Sequence, residues 1–483
     1  MSTQYDITIG LEVHVQLKTK SKIFCSCSTE FGSTANSQTC PICLGFPGVL
    51  PVLNRRVLEL ALRVAFALEC QMTPRMKFDR KNYFYPDLPK NFQISQFDLP
   101  MAAQGKLEVP LADKNIIIRI QRIHLEEDAG KLIHKPAGSG SLADFNRSGV
   151  PLIEIVSEPD LTSPDQAHAY LEQLKAILQY LEVSDCDMEK GSLRCDANIS
   201  LKPHDRVEYG TKVEIKNMNT FKGIRVALTY EVVRQSALLD RGDRIVQETR
   251  LWDAEAEVTR SMRSKEEAHD YRYFPEPDLV PFQLTPAILE EVRKNLPELP
   301  RQRKERIIQQ YGLSEYDAGV LTREKAIADY FERCIQLYPK PKVVANWIMT
   351  ELLAQVRQRN VSIQELGCKP EWLAEMLELM DHETLSGKMA KEILIEVVQT
   401  GQSPKHLISQ KGFVQISDGT LINQMIEQVI QNNPRSVQDY TSGKTNAMMF
   451  LVGQVMKMTQ GKANPGKVQE LLLNRLNSKE GSI

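Results

Sequence analysis

Tyr5-Asp6-Ile7-Thr8-Ile9-Gly10-Leu11-Glu12-Val13-His14-Val15-Gln16-Leu17 places an apolar residue at every odd position. Successive side chains of a strand leave on opposite faces, so the pattern predicts a half-buried strand with Glu12 and His14 side by side on its open face. Leu193 to Leu201 repeats the arrangement, with Leu193, Cys195, Ala197, Ile199 and Leu201 inward and Arg194, Asp196 and Asn198 outward. In Lys212 to Lys216, Val213 and Ile215 oppose Lys212, Glu214 and Lys216. Asn115 to Asp128 is less regular: Ile116, Ile118 and Ile120 share a face with Arg122, His124 and Glu126, and Glu126, Glu127 and Asp128 close the run. On one sheet, these strands would bring carboxylates, imidazole and cations to one surface. A single such strand reads more readily as a solvated sheet face, but four together weigh against it.

The 483 residues suggest about three domains at ~150 residues each. Sixty Lys plus Arg against 62 Asp plus Glu give a formal charge of -2, which excludes a broad electrostatic footprint for nucleic acid or an anionic membrane. No 18-residue apolar run and no cationic, then apolar, leader occur, so a soluble cytoplasmic protein without membrane contact is expected. Nine cysteines argue against a disulfide framework. Four of them, Cys25-x-Cys27 and Cys40-x-x-Cys43 with Pro41 and Gly45 at the turn, have the spacing of a tetrahedral zinc knuckle. With all four positions thiolate, no place is left for water, so the zinc is read as structural.

Residues 1–293 mix strand and helix signals. Ser163-Pro164-Asp165-Gln166 reads as a capped helix start, and Leu171, Leu174, Ile177, Leu178 and Leu181 follow at helical spacing. Six prolines between 275 and 300 mark a boundary. Residues 294–408 then read as a helical domain and 409–483 as a small helical tail. The expected class is therefore α+β, a mixed or antiparallel, cradle-like catalytic sheet domain followed by two helical ones. Residues 411–483 carry eight Lys or Arg against five Asp or Glu, with Lys444, Lys457, Lys462 and Lys467 set among glycines. Ser442-Gly443-Lys444-Thr445 is not a phosphate loop, because position 438 is Gln and no strand run precedes it.

Asp79-Arg80-Lys81-Asn82-Tyr83-Phe84-Tyr85-Pro86-Asp87-Leu88-Pro89-Lys90 packs charges, aromatics and prolines into twelve residues and reads as a structured loop lining a cleft. Asp144 to Pro159 is comparably dense. These two segments, with Gly10 to His14, His124 to Lys131 and Val213 to Asn217, closely resemble the B subunits of bacterial aspartyl/glutamyl-tRNA amidotransferases, and Phe145 to Glu158 matches that family's signature. The likeness runs over essentially the whole chain.

The resemblance implies a three-subunit enzyme that amidates Glu-tRNA(Gln), and often Asp-tRNA(Asn), with glutamine and ATP. Its partners would be an amidase (A) subunit and a small (C) subunit. A carboxylate must be activated before ammonia can displace its oxygen, and ATP can do this through an acyl phosphate, which calls for a cation held by carboxylates and basic groups facing phosphate. The resemblance assigns Glu12, His14, Glu127 and Glu214 to a Mg²⁺ and ATP site, with Glu126 and Asp196 beside them and Lys212 and Arg194 as phosphate partners. It implies Lys81 and Lys90 in a tunnel delivering ammonia, for which this chain shows no source of its own. The tail, through Lys444, Lys457 and Lys462, is the expected tRNA contact. Two rivals stay open: a zinc-containing tRNA-binding scaffold without catalysis, and a metal-dependent kinase or ligase acting on a small carboxylate.

Overall fold

A computed structural model describes residues 5–480 except 112–113, 135–139, 265–270, 383, 412–418, 460–462 and 464. Chain contacts divide it into two units, Met1–Pro300 and Arg301–Ile483.

The first unit is organised by a nine-stranded sheet in the order Val258–Ser264, Glu248–Asp253, Val213–Lys216, Leu193–Pro203, Tyr5–Gln16, Pro151–Ser157, Asn115–Glu127, Ala102–Pro110 and Gln71–Met72. Every pairing is antiparallel except that of Val213–Lys216 with Glu248–Asp253, so the sheet is mixed. The N-terminal strand lies near the middle because its alternation is the cleanest: Ile9, Leu11, Val13 and Val15 are at most 1% exposed. Their face is covered by helices Arg55–Ala67, Pro164–Tyr180 and Phe221–Asp240, which share one core with it. Helix Pro164–Tyr180 starts as the sequence predicts, with the Ser163 side chain accepting from the Gln166 amide and Leu171, Leu174, Ile177 and Leu178 turned inward. Burying such leucines contributes roughly 1.5–3 kcal/mol each. Helix Phe221–Asp240 also buries a charge, Glu231, which takes hydrogen bonds from Arg234 (2.8 Å), Gln235 (2.9 Å) and Thr259 (2.5 Å).

A small hairpin, Asp79–Asn82 with Phe92–Ser95, stands beside the sheet. Here the expectation of a loop is corrected in part: its first residues form a strand, and Phe84 and Tyr85 are 75% and 53% exposed rather than buried.

Among the described residues the second unit is all helical and holds two separate hydrophobic clusters, one built on residues 307–407 and one on 422–476. The Lys444 segment is the turn between helices Pro434–Thr441 and Asn446–Met458, with Gly443 at φ +96. Sheet domain first and helices after, the architecture is the α+β arrangement expected from the sequence. Among the described residues no helix is long and apolar enough to cross a membrane.

Candidate active site

Register builds the site. His14 stands opposite Arg194 on one neighbouring strand and Glu154 on the other, and Glu154 stands opposite His124. One row therefore crosses four strands as Arg194, His14, Glu154 and His124. The next row brings Glu12 beside Asp196, and the one after pairs Asn198 with Glu214.

These side chains floor a cavity of about 570 Å³ lined by five carboxylates, Glu12, Glu126, Glu154, Asp196 and Glu214. Its basic groups are His14, His124, Lys81, Arg122 and Lys216. Glu154 Oε2 lies 3.4 Å from His14 Nε2 and 3.1 Å from His124 Nε2, and Glu126 Oε1 lies 3.5 Å from His14. One ligand atom from each of His14, Glu126 and Glu154 falls within 4.8 Å of the others. Lys216 donates to Asp196 (2.8 Å), Thr249 donates to Glu214 (2.7 Å), and Asn198 donates to Glu12 (2.8 Å).

Burial opposes a charge on His14, but the hydrogen bond and charge of Glu154, with Glu126 and Asp196, raise its pKa to about 9. Burial likewise opposes the Glu154 carboxylate, and the two histidines hold its pKa well below the usual range. Among the described residues, His124 Nδ1 and Asn198 Oδ1 are buried without a hydrogen-bond partner. Buried polar atoms are normally paired, so unsatisfied ones beside converging acids fit a site made for a cation and its ligand.

A second cavity, about 240 Å³, lies across the hairpin. Alternation divides the hairpin between the two: Arg80, Phe92 and Ile94 line the small cavity, Lys81 and Ser95 the large one. The same rule parts Glu126 from Glu127. Glu127 lines the small cavity, where it pairs with Lys90 and accepts from the Ile94 amide at 2.9 Å. The expected grouping of Glu127 with Glu12, His14 and Glu214 is thus corrected, because neighbours on a strand cannot share a face.

Cys25, Cys27, Cys40 and Cys43 converge at the rim of this small cavity, all four sulfurs within 4.8 Å of one another. Cys40 Sγ and Cys43 Sγ are 3.9 Å apart, close to the roughly 3.8 Å that tetrahedral zinc with ~2.3 Å bonds to sulfur requires. The hydrogen bond from Cys25, with the Cys40 amide and Lys22 nearby, lowers the Cys43 pKa to about 4. Lys22 is fully buried with Nζ 3.7 Å from that sulfur, a placement suited to offsetting thiolate charge. Gly45 ends the Cys40 turn at φ +71, and any Cβ there would run into the Lys90 side chain.

A family model described as the GatB/GatE catalytic domain matches residues 7–290, and one described as the GatB domain matches residues 329–476. The B subunit of the aspartyl/glutamyl-tRNA(Asn/Gln) amidotransferase of Carboxydothermus hydrogenoformans is 54% identical over 476 residues, 98% of this chain and 99% of that protein. This chain belongs to the family of amidotransferase B subunits. The corresponding protein of Moorella thermoacetica is 54% identical over 475 residues, 98% of this chain and all of that protein. That of Brevibacillus brevis is 52% identical over 476 residues, 99% of this chain and all of that protein.

Of the residues that the family resemblance singled out, the structure gathers Glu12, His14, Glu126, Asp196, Glu214 and Lys81 around the large cavity. Lys212 lines an adjoining groove that shares Glu12 and Arg122 with it. Arg194 is a correction: its guanidinium turns to Asp128, 2.9 Å away and 2% exposed, and does not line the cavity. Lys81 and Lys90, expected in one passage, open into different cavities. In the tail, Lys444 pairs with Asp439 (2.8 Å), and the 13-residue helix Asn446–Met458 sets it roughly 20 Å from Lys457. Lys462 lies outside the described residues.

Sequence reasoning set His124 and Lys216 on the charged strand faces without naming them as site residues, and passed over Glu154, Thr249, Tyr271 and Tyr273. Glu154 was the most legible of these last four. Its strand alternates, but Leu152 and Val156 share its face, so the segment reads as one apolar run.

Proposed function

We propose that this chain carries out the ATP-dependent amidation of Glu-tRNA(Gln), and of Asp-tRNA(Asn), with ammonia released from glutamine by a partner amidase (A) subunit held together with a small (C) subunit. The relatives' names supply the tRNA specificity and imply a multisubunit enzyme. The observation that carries the chemistry is the row His14, Glu154, His124 with Glu126 beside it, flanked by Glu12, Asp196 and Glu214 in one cavity.

The side-chain carboxylate of the esterified amino acid attacks the γ-phosphorus of ATP, and ADP leaves. Ammonia then attacks the acyl carbon, phosphate departs and a proton is lost. Phosphoryl transfer depends mostly on positioning and on neutralising charge. Glu12, Glu126 and Glu154, with Asp196 and Glu214, form the oxygen-rich donor set that would hold Mg²⁺, which when bound spreads and neutralises phosphate charge. His14 acts through Glu154 and Glu126, orienting their oxygens. Lys212, in the adjoining groove, faces the nucleotide phosphates, whereas Arg194 is left out because Asp128 engages it. Glu127 and Lys90 are assigned to the approach of ammonia. The four cysteines would hold zinc as a structural ion, since four thiolates close its coordination. Residues 409–483 are proposed to bind tRNA through scattered lysines, Lys444 and Lys457 among the described ones.

The test is the purified complex supplied with ATP, magnesium, ammonium chloride and Glu-tRNA(Gln). Glu154→Gln should lower tRNA-dependent ADP formation by about 10³-fold, the scale on which preorganised electrostatic groups act. A scaffold would leave the reaction intact in that variant, and a small-carboxylate kinase would cleave ATP without tRNA. Deleting 411–483 should weaken tRNA binding and spare glutamine hydrolysis; unchanged tRNA affinity rejects the tail assignment.

A further inference from the structure

The cations around the large cavity are committed to partners, with one exception. Lys216 bonds Asp196 and lies 3.7 Å from Glu214, Arg122 bonds Gln121 (2.7 Å), and the two histidines share Glu154. Lys81 lines the same cavity from the hairpin. Among the described residues its Nζ has no hydrogen-bond acceptor and no carboxylate at ion-pair distance; what surrounds it is aromatic. The Tyr271 ring centroid is 4.8 Å away and that of Tyr83 6.0 Å. Those rings meet edge-on at 5.9 Å, Tyr271 meets Tyr273 at 6.1 Å, and Tyr273 stacks on Phe97 at 4.3 Å.

This arrangement holds a positive charge without spending its donors. The ring faces attract the ammonium through their quadrupoles, and an N–H directed at no acceptor remains free for a ligand. Burial opposes the charge, but Tyr273, Glu126, Tyr83 and Glu154 outweigh it and raise the pKa, so the amine stays protonated. A protonated amine can be neither a base nor a carrier of ammonia. It would also repel ammonium ion while admitting neutral ammonia, and the tyrosines cannot accept the charge in its place.

We propose that Lys81 is an oxyanion-binding residue of the reaction, its ammonium held by Tyr83 and Tyr271 and offered to the anionic oxygen of the group being activated. This rests on the reading of the large cavity as the activation site. The oxyanion has two sources, the side-chain carboxylate of the aminoacyl-tRNA and the γ-phosphate of ATP. Where the carboxylate is the source, it is anionic before reaction and neutral as the amide, so the same contact that holds substrate lets product go. Tyr83 and Tyr271 are positioning residues that act through Lys81. The role differs from the tunnel position that family resemblance implies for this lysine.

The experiment uses the complete amidotransferase complex with Lys81→Met, Lys81→Arg, Tyr271→Phe, Tyr271→Leu and Glu154→Gln, each driven either by glutamine or by ammonium chloride. Lys81→Met should lower kcat/KM by about 10²-fold with both nitrogen sources, and Lys81→Arg should recover about tenfold of that. A raised KM for Glu-tRNA(Gln) identifies the carboxylate as the bound oxyanion; a raised KM for ATP identifies the phosphate. Tyr271→Phe keeps the ring and should stay near wild type, while Tyr271→Leu should lose about tenfold in the same KM, and it gives the readout if Lys81→Met does not fold. Ammonium-driven amidation within threefold of wild type in Lys81→Met, with Glu154→Gln inactive, overturns the proposal and leaves the site reading standing. An active Glu154→Gln overturns the site reading itself.

Discussion

The acid and imidazole cluster and the cysteine cluster are both groups of ligating atoms drawn together within 4.8 Å, yet the chain builds them in opposite ways. Cys25 to Cys43 is local: two short turns bring four sulfurs together within nineteen residues, with Gly45 in the left-handed region closing the second. His14, Glu126 and Glu154 come from three strands spread over 141 positions and meet only because the register is right. The local cluster can order itself around an ion. The distributed one inherits its geometry from the hydrophobic face beneath, where Ile9, Val13, Ile153 and Ile155 are fully buried. Stability and chemistry are thus separable in the second case and fused in the first.

The largest effect expected from breaking this contrast is metal removal. Chelation, or Cys43→Ser, should withdraw up to roughly 10 kcal/mol of local folding energy. Hydrogen exchange should then show amide protection lost around residues 19–54 and kept in the central strands. Glu154→Gln should do the reverse, abolishing amidation while shifting the melting temperature by only a few degrees, a cost of about 1 kcal/mol or less.

Glu231 supplies a calibration, being a buried carboxylate whose partners are all present. Burial alone would raise its pKa, but hydrogen bonds from Arg234, Thr259 and Gln235 hold it below the ordinary 4.5. A depressed folded-state pKa means that its stabilisation is complete above about pH 4.5 and fades as pH falls through the lower folded value. Glu231→Ala should cost about 3 kcal/mol at pH 7, because it strands Arg234 and Arg250, and the difference from wild type should shrink below pH 4.5. Urea melts at pH 7 and pH 3.5 measure both.

The smallest effect sharpens the comparison at one peptide bond. Glu126→Gln should depress amidation with either nitrogen source, whereas Glu127→Gln should affect the glutamine-driven reaction about tenfold more than the ammonium-driven one, a difference of ~1.4 kcal/mol. Equal behaviour of the two variants would show that the cavities work as one.

Much of this was legible because period-two alternation survives folding. Glu12, His14, Asp196 and Glu214 face one cavity as their parity requires, and the cysteine spacing reads directly as a knuckle. Glu126 reaches that cavity only because its strand changes face at a register shift between Ile120 and Arg122, so Ile118 and Ile120 are buried with Ile123 and Leu125 and do not share the open face of His124 and Glu126 as the sequence pattern predicts. The same alternation separates Glu126 from Glu127, which the family resemblance placed together and which line different cavities. What could not be read depends on distant partners. Arg194 has the right face, but Asp128, just past the end of another strand, draws it away. Tyr271 and Tyr273 lie some 190 residues from Lys81 and carry no periodic signature. Lys444 and Lys457 look clustered among glycines until a full helix is laid between them.

The hairpin Asp79–Asn82 with Phe92–Ser95 turns one cation, Arg80, to one chamber and the next, Lys81, to the other. Inserting or deleting a single residue just ahead of Arg80 would therefore swap the two rooms' cations, sending a guanidinium among the tyrosines and the lysine toward the cysteines. Such a change would leave composition and net charge almost untouched and still disable both compartments at once, so length in this short ribbon should be far less negotiable than the identity of its exposed tip.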